Sequence, residues 1–305
     1  MDKVDMYEID LEAQKAIKQL IDEHQLKSDF YETVETYYLQ VAKAIACEKK
    51  TKKALLVGVN GAQGTGKSTI ASFLVSLLKN VFKLNSVCFS IDDIYLTQKD
   101  RQDLADTIHP LFKTRGVPGT HDVEMGINLI KHFKQLKAGE TLASPIFNKA
   151  IDDRADESTW PLYEGPIDII ILEGWCVGAV AQYDNELTEA VNDLERLEDT
   201  NAKWRCHVNE QLKTTYQDLF NMIDFLVMLK APSFEKVYDW RLKQERKLAL
   251  KVAPSAATAI MDAKDIKRFI MHYERLTRHI LAEMPERANI CLTINDDHKI
   301  TSIIQ

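Results

Sequence analysis

The stretch Val57-Gly58-Val59-Asn60-Gly61-Ala62-Gln63-Gly64-Thr65-Gly66-Lys67-Ser68-Thr69 constrains this chain more than any other. It follows the apolar run Ala54 to Val59, which reads as a buried strand. Beyond it, apolar residues recur at Ile70, Phe73, Leu74, Leu77, Leu78 and Val81, the spacing of one helix face. Gly61, Gly66, Lys67 and Ser68 satisfy G-x-x-x-x-G-K-[ST], and the flanking strand and helix supply the context that this pattern requires. The residue types follow from the chemistry. Backbone N–H groups must converge on phosphate oxygens, which demands close approach and unusual dihedrals, so glycine recurs. The helix N-terminus adds unsatisfied donors and the positive end of its dipole. Gly61, Ala62, Gln63, Gly64, Thr65, Gly66, Lys67, Ser68 and Thr69 are therefore read as a nucleoside-triphosphate cradle. Lys67 is expected to reach the β- and γ-phosphates and the Ser68 hydroxyl to ligate Mg²⁺.

Three further apolar strands are expected, at Ser86–Ile91, Ile167–Leu172 and Asp224–Leu229, with helical patterns between them. The fold class is α/β, a P-loop NTPase-type, mostly parallel sheet with helices on both faces. Residues 1–50 carry two apolar stripes, one from Ile9 to Ile21 and one from Phe30 to Ile45, with a polar break between them in which Ser28 or Asp29 is the expected N-cap. They read as a helical extension packed on the core domain, 51–305, with a partner-binding arm as the alternative. Residues 177–222 read as a helical insertion, and the alternating Ile290, Leu292 and Ile294 before the turn at Asn295 as a terminal hairpin or strand.

In an open parallel sheet, ligands bind beyond the carboxyl ends of the strands. Asp92 and Asp93 follow the second strand, on the same edge as the phosphate loop. A carboxylate there can accept a proton from a substrate hydroxyl; turn formation is the alternative reading. If extended geometry persists, side chains alternate and only one of the pair faces the site, which selects Asp92 as base. The Pro- and Gly-ordered loop from His109 to Asp122 carries Arg115 and His121, suited to an anionic or hydroxyl-bearing ligand or to holding the loop itself. Glu173 ends the third strand, where it either meets Mg²⁺ or caps the sheet edge. Arg241 and Arg246 lie on a probable helix, as a lid over phosphates or as solvated surface.

Composition narrows the partners. At 305 residues, 45% hydrophobic and 28% charged, the chain matches a soluble globular protein, and no apolar run approaches a membrane span. A formal net charge of −7 argues against long nucleic acid but not against a nucleotide held in a local positive cleft. The five cysteines are widely spaced, and the start Met1 to Asp5 is too polar for a secretory signal, so a reducing cytoplasm is expected. A monomer or weak homodimer is the expected state.

Taken together, the motifs resemble the glycerate 3-kinase-like P-loop kinases, a branch near phosphoribulokinase, uridine kinase and pantothenate kinase. The resemblance spans roughly residues 30 to 300 and rests on Gly61–Thr69, Ser90–Thr97, Arg115–Asp122, Asp153-Arg154, Leu172–Trp175 and Trp240–Glu245. It implies ATP, Mg²⁺ and phosphorylation of a small-molecule hydroxyl, D-glycerate first. Asp92 matches the family's general base, Glu173 its acidic residue near Mg²⁺, and Arg241 its lid arginine, which with Lys67 completes the expected catalytic set. The matched motifs also carry Asp93, Tyr95, Arg115, His121 and Arg154 as expected acceptor-binding residues. The chain departs from the family pattern at Val117-Pro118 and at Asn148-Lys149-Ala150, both expected to face the acceptor. The alternatives are the same chemistry on a sugar, nucleoside or pantothenate-like alcohol, or a nucleotide-dependent switch; no N-K-x-D pattern supports a switch.

Overall fold

The computed structural model describes residues 9–249 and 263–305, with side chains described up to 243 and from 264. The start Met1 to Asp5 and the side chains of Gln244, Glu245, Arg246 and Leu248 lie outside the described residues. In chain order the elements are α1 (Leu11–Glu23), α2 (Phe30–Thr33), α3 (Leu39–Lys49), β1 (Leu55–Gly61), α4 (Lys67–Asn80), β2 (Ser86–Ser90), α5 (Gln98–Thr107) and α6 (Val123–Gln135). Four short strands follow, β3 (Thr141–Ala143), β4 (Phe147–Asn148), β5 (Asp153–Arg154) and β6 (Leu162–Glu164), and then β7 (Ile169–Gly174). Next come α7 (Asp193–Glu198), α8 (Lys203–Lys213), α9 (Thr215–Phe220), β8 (Phe225–Lys230), α10 (Phe234–Ala249), α11 (Ala263–Glu283), β9 (Ile290–Ile294) and β10 (Ile300–Ile304).

Six strands form one sheet in the order β10-β9-β8-β1-β7-β2. All neighbours are parallel except β10, which pairs antiparallel with β9 as a terminal hairpin. The period-2 rule sorts the central strands cleanly. Leu55, Val57 and Val59 of β1 face one core with Ile169 and Ile171 of β7, under Ile70, Phe73, Leu74 and Leu77 of α4. Leu56, Ile170 and Leu172 face the other, under Ile130 and Phe133 of α6, Tyr216 and Leu219 of α9, and Leu276 and Ile280 of α11. With both faces covered, the strands are apolar runs rather than alternating ones.

The N-terminal helices join the first of these cores: Ile17, Ile21, Val34, Tyr38, Val41 and Ile45 are buried against α4 and β1. Asp10 caps α1 by accepting the Ala13 N–H at 2.8 Å. Asp29 stands at the start of α2 but makes no side-chain cap bond; ring packing anchors that helix instead, with Phe30 5.7 Å from Phe73 and 5.9 Å from Tyr38. A π-turn, Val34–Tyr38, joins α2 to α3. Within residues 177–222, α7 to α9 pack on the opposite face. There the buried Arg205 donates to Asp199 at 2.9 Å, and Arg275 of α11 pairs with Glu195 at 2.7 Å.

Register decides where the chemistry can gather. Val59 of β1 and Ser90 of β2 both pair with Glu173 of β7, so three strands end level on one edge of the sheet.

Candidate active site

The phosphate loop leaves β1 with Gly64 and Gly66 at φ +80° and +90°, left-handed conformations that a side chain would strain. Thr65 is buried, and its hydroxyl donates to the Ala62 carbonyl at 2.8 Å, closing the loop. A Cβ at Gly64 would stand 2.9 Å from Cβ of Trp240, so α10 backs the loop directly. Asn60 ties the loop to the neighbouring strand end, donating to the carbonyls of Trp175 at 3.1 Å and Val177 at 2.9 Å. Lys67 opens α4 at the loop's end.

Glu173 is buried, and its Oε1 accepts the Ser68 hydroxyl at 2.8 Å. Its Oε2 is buried with no hydrogen-bond partner. A carboxylate with one oxygen on a serine hydroxyl and the other buried without a partner suits a cation, because burying that oxygen unpaired is otherwise costly. Among the described residues no cluster of three His, Cys, Asp or Glu side chains forms a metal cage. A cation here would have few protein ligands besides phosphate oxygens, the usual mode of Mg²⁺.

Asp92 and Asp93 differ from the strand-alternation expectation. β2 ends at Ser90, and Ile91–Ile94 is a 3₁₀ turn. In that turn residues three apart eclipse. Ile91 and Ile94 both point into the core, fully buried, while Tyr95 lies over Asp92 and donates its hydroxyl to Oδ1 at 2.8 Å. Asp92 thus reaches the site by turn geometry. Lys149 donates to its Oδ2 at 2.6 Å. Burial would raise the pKa of this carboxyl, but the charges of Lys149 and Lys67 outweigh that and hold it down to about 2. The field of Lys67 on Asp92 joins the phosphate loop and this carboxylate in one site.

A cleft of about 480 Å³, open to solvent, is lined by Gln63, Gly64, Lys67 and Ser68 from the loop side and by Asp92, Tyr95, Arg115 and Lys149 beyond. Trp175, Arg241, Phe269 and Tyr273 complete the wall. That volume falls within the roughly 300–1,000 Å³ of a ligand pocket. Arg115 pairs with Asp152, which also receives the buried Arg101 at 2.6 Å, and lies 5.5 Å from the Phe147 ring. Its carbonyl accepts the Tyr273 hydroxyl at 3.2 Å, while Trp175 donates to the Gly116 carbonyl at 2.9 Å. Arg241 lies 5.7 Å from the Phe269 ring.

Three expected acceptor contacts do not line this cleft. Asp93 turns back to cap its own turn, accepting the Ser90 N–H at 2.9 Å; burial raises its pKa to about 6 against the pull of the Ser90 and Phe147 N–H groups. His121 is buried under the Tyr95 ring at 4.5 Å with Nδ1 2.6 Å from the Tyr216 hydroxyl. Burial, despite Asp92, lowers its pKa to about 4, so the ring is neutral. Arg154 donates to Asp122 at 2.7 Å and to the Tyr95 carbonyl at 3.1 Å. All three support the turn that carries Asp92 and Tyr95. Lys149, in a segment expected to face the acceptor, does line the cleft, and so do Trp175, Phe269 and Tyr273, to which the sequence assigns no site role. Phe269 and Tyr273 fall on the apolar face of an amphipathic pattern, as core residues do, and their i, i+4 aromatic spacing is the available signal.

No family model matches the chain. It is 34% identical over 239 residues to an uncharacterised kinase of Schizosaccharomyces pombe, covering 74% of this chain and 82% of the relative. It is 30% identical over 239 residues to the chloroplastic D-glycerate 3-kinase of Arabidopsis thaliana, covering 76% of this chain. The match spans about half, 49%, of that relative's length. Among solved structures, a D-glycerate 3-kinase from Cryptococcus neoformans superposes with a TM-score of 0.73 at 23% identity, covering 88% of this chain and 99% of the other. That likeness concerns the fold, and its mostly parallel sheet is the one described above. With the phosphate loop, the strand-end carboxylates and a relative matched over most of its length, the chain belongs to the glycerate 3-kinase-like family of P-loop kinases.

Proposed function

We propose that this protein is an ATP-dependent phosphotransferase acting on a small-molecule hydroxyl, with D-glycerate the first acceptor to try. The observation that carries this reading is the opening of Lys67, Ser68, Asp92 and Arg115 onto a single cleft. Lys67 and the loop N–H groups would hold the triphosphate. Ser68 and Glu173 would hold Mg²⁺, and the unpartnered Glu173 Oε2 supports that assignment. When bound, the ion neutralises charge developing on the phosphate oxygens. The acceptor O–H gives its proton to Asp92 as its oxygen bonds to the γ-phosphorus. The bond from that phosphorus to the bridging oxygen breaks, and ADP leaves with the electron pair. Arg115 would bind an anionic group on the acceptor, since its guanidinium has donors beyond those used by Asp152. Arg241 would close over the phosphates.

All five cysteines are free, which supports a reducing, cytoplasmic setting. No described helix is long and apolar enough to cross a membrane. The test is ADP release from MgATP across a panel of hydroxyl compounds. Stimulation by one acceptor, with the phosphoester identified by mass spectrometry, supports the reading; turnover indifferent to every acceptor refutes it.

A further inference from the structure

The contact between Lys149 and Asp92 is at odds with Asp92 acting as a base. A carboxylate that accepts a lysine ammonium at 2.6 Å is a weak proton acceptor. Its other oxygen accepts from Tyr95, which is 3% exposed, stacked on His121 and edge-on to Phe147 at 5.2 Å. Tyr95 has nowhere to go. Lys149 differs: its side chain is 59% exposed, at the tip between β4 and β5, on a four-carbon stem. The hairpin itself is anchored, because Asp152 is held by Arg101 and Arg115. The ammonium can therefore leave Asp92 without moving the backbone.

Resting on the kinase reading above, we propose that Lys149 restrains Asp92 until an anionic group on the acceptor draws the ammonium away. The base is then competent only when the right acceptor is bound. Of the four cations lining the cleft, Lys67 and Arg241 serve the phosphates, so the acceptor's anion meets Arg115 and Lys149, each already paired with a carboxylate. Competition for Lys149 transfers it from Asp92 to the acceptor's anion. The freed carboxylate takes the hydroxyl proton, the acceptor oxygen bonds to the γ-phosphorus, and ADP departs. With the phosphates held by Lys67 and the loop, water brings no anion to the acceptor side, so the restraint stays in place and ATP is spared from hydrolysis. Lys149 thus selects for the acceptor and against water through the same contact.

The experiment follows ADP release by the full-length enzyme with MgATP alone, with D-glycerate or the best anionic alcohol, and with glycerol as a neutral counterpart. Lys149→Met should raise acceptor-independent hydrolysis about tenfold, because the freed carboxylate is a stronger base. It should also cut the preference for the anionic acceptor over glycerol by about tenfold or more. Lys149→Arg keeps a cation on Asp92 and should reverse most of the excess hydrolysis seen in Lys149→Met. The excess hydrolysis should vanish in Asp92→Asn/Lys149→Met. Hydrolysis unchanged or reduced in Lys149→Met, or an excess that survives the loss of Asp92, overturns the inference while leaving the kinase reading intact. So does a neutral alcohol as the best wild-type acceptor. A wild-type enzyme indifferent to every alcohol removes both.

Discussion

Gly116→Ala tests whether the loop carrying Arg115 is held as described. Gly116 sits at φ +141°, which glycine adopts freely and a residue with a side chain does not. Forcing alanine there costs about 1–3 kcal/mol in backbone strain. The new Cβ would also stand 2.6 Å from Cζ of Tyr273 and 2.8 Å from its Cε1. That ring cannot swing clear: it is 3% exposed, 4.8 Å edge-on to Trp175 and 5.0 Å from Phe269. Overpacking of this kind costs about 1–3 kcal/mol more. The expected loss of unfolding free energy is therefore about 2–6 kcal/mol, read from urea midpoints. A double-mutant cycle separates the parts. Measured against Tyr273→Ala, Gly116→Ala should cost only the backbone share of about 1–3 kcal/mol. Because the Tyr273 hydroxyl bonds the Arg115 carbonyl, the single variant should also raise the acceptor's KM while leaving that of ATP nearly unchanged. An unaltered urea midpoint, or an equal cost with and without Tyr273, would refute this account of the loop.

Three other outcomes follow from the same geometry. Asp92→Asn should lower kcat by about 10²–10⁴-fold with ATP binding retained, and Asp93→Asn far less, since an amide oxygen can still accept the Ser90 N–H; the reverse order in kcat would reverse the two roles. Glu173→Gln should raise the Mg²⁺ concentration needed for half-maximal turnover and cut kcat more than nucleotide affinity; a normal Mg²⁺ titration would remove Glu173 from the metal. His121, whose pKa burial lowers to about 4, binds fewer protons folded than unfolded between there and the ordinary value of 6.5. Its contribution is therefore complete above pH 6.5 and lost as pH falls towards 4. His121→Gln should flatten the pH dependence of the urea midpoint in that window, and an unchanged slope would contradict the burial argument.

What the sequence made legible was local. The phosphate loop and its flanking strand and helix are specified within one continuous stretch, so pattern alone locates them. Strand alternation is not what brings Asp92 to the cleft. Period-2 alternation stops at Ser90, where the Ser90–Asp93 capping box converts the chain to a 3₁₀ turn, and Ser-x-x-Asp was the signal for that. The residue pattern leaves His121 open between ligand contact and loop support, because the partners that bury it, Tyr95 and Tyr216, come from separate elements. The cleft's far wall was hidden for the same reason: Tyr273 lies more than 150 residues from Arg115 in sequence. Only tertiary packing distinguishes its ring from an ordinary core residue.

The backing of Gly64 by Trp240 has an optical consequence. The chain has four tryptophans, and two of them, Trp240 behind the phosphate loop and Trp175 in the cleft wall, adjoin the site. Both are nearly buried, at 5% and 3% exposed. The indole of Trp240 shares its helix with Arg241 and sits 4.5 Å from the His298 ring. A small displacement of that helix on nucleotide binding would change the indole's surroundings, and with them the emission. The native chain therefore carries its own fluorophores beside each half of the cleft. Replacing Trp240 or Trp175 singly with Phe would assign a binding signal to the phosphate loop or to the acceptor wall without any attached dye.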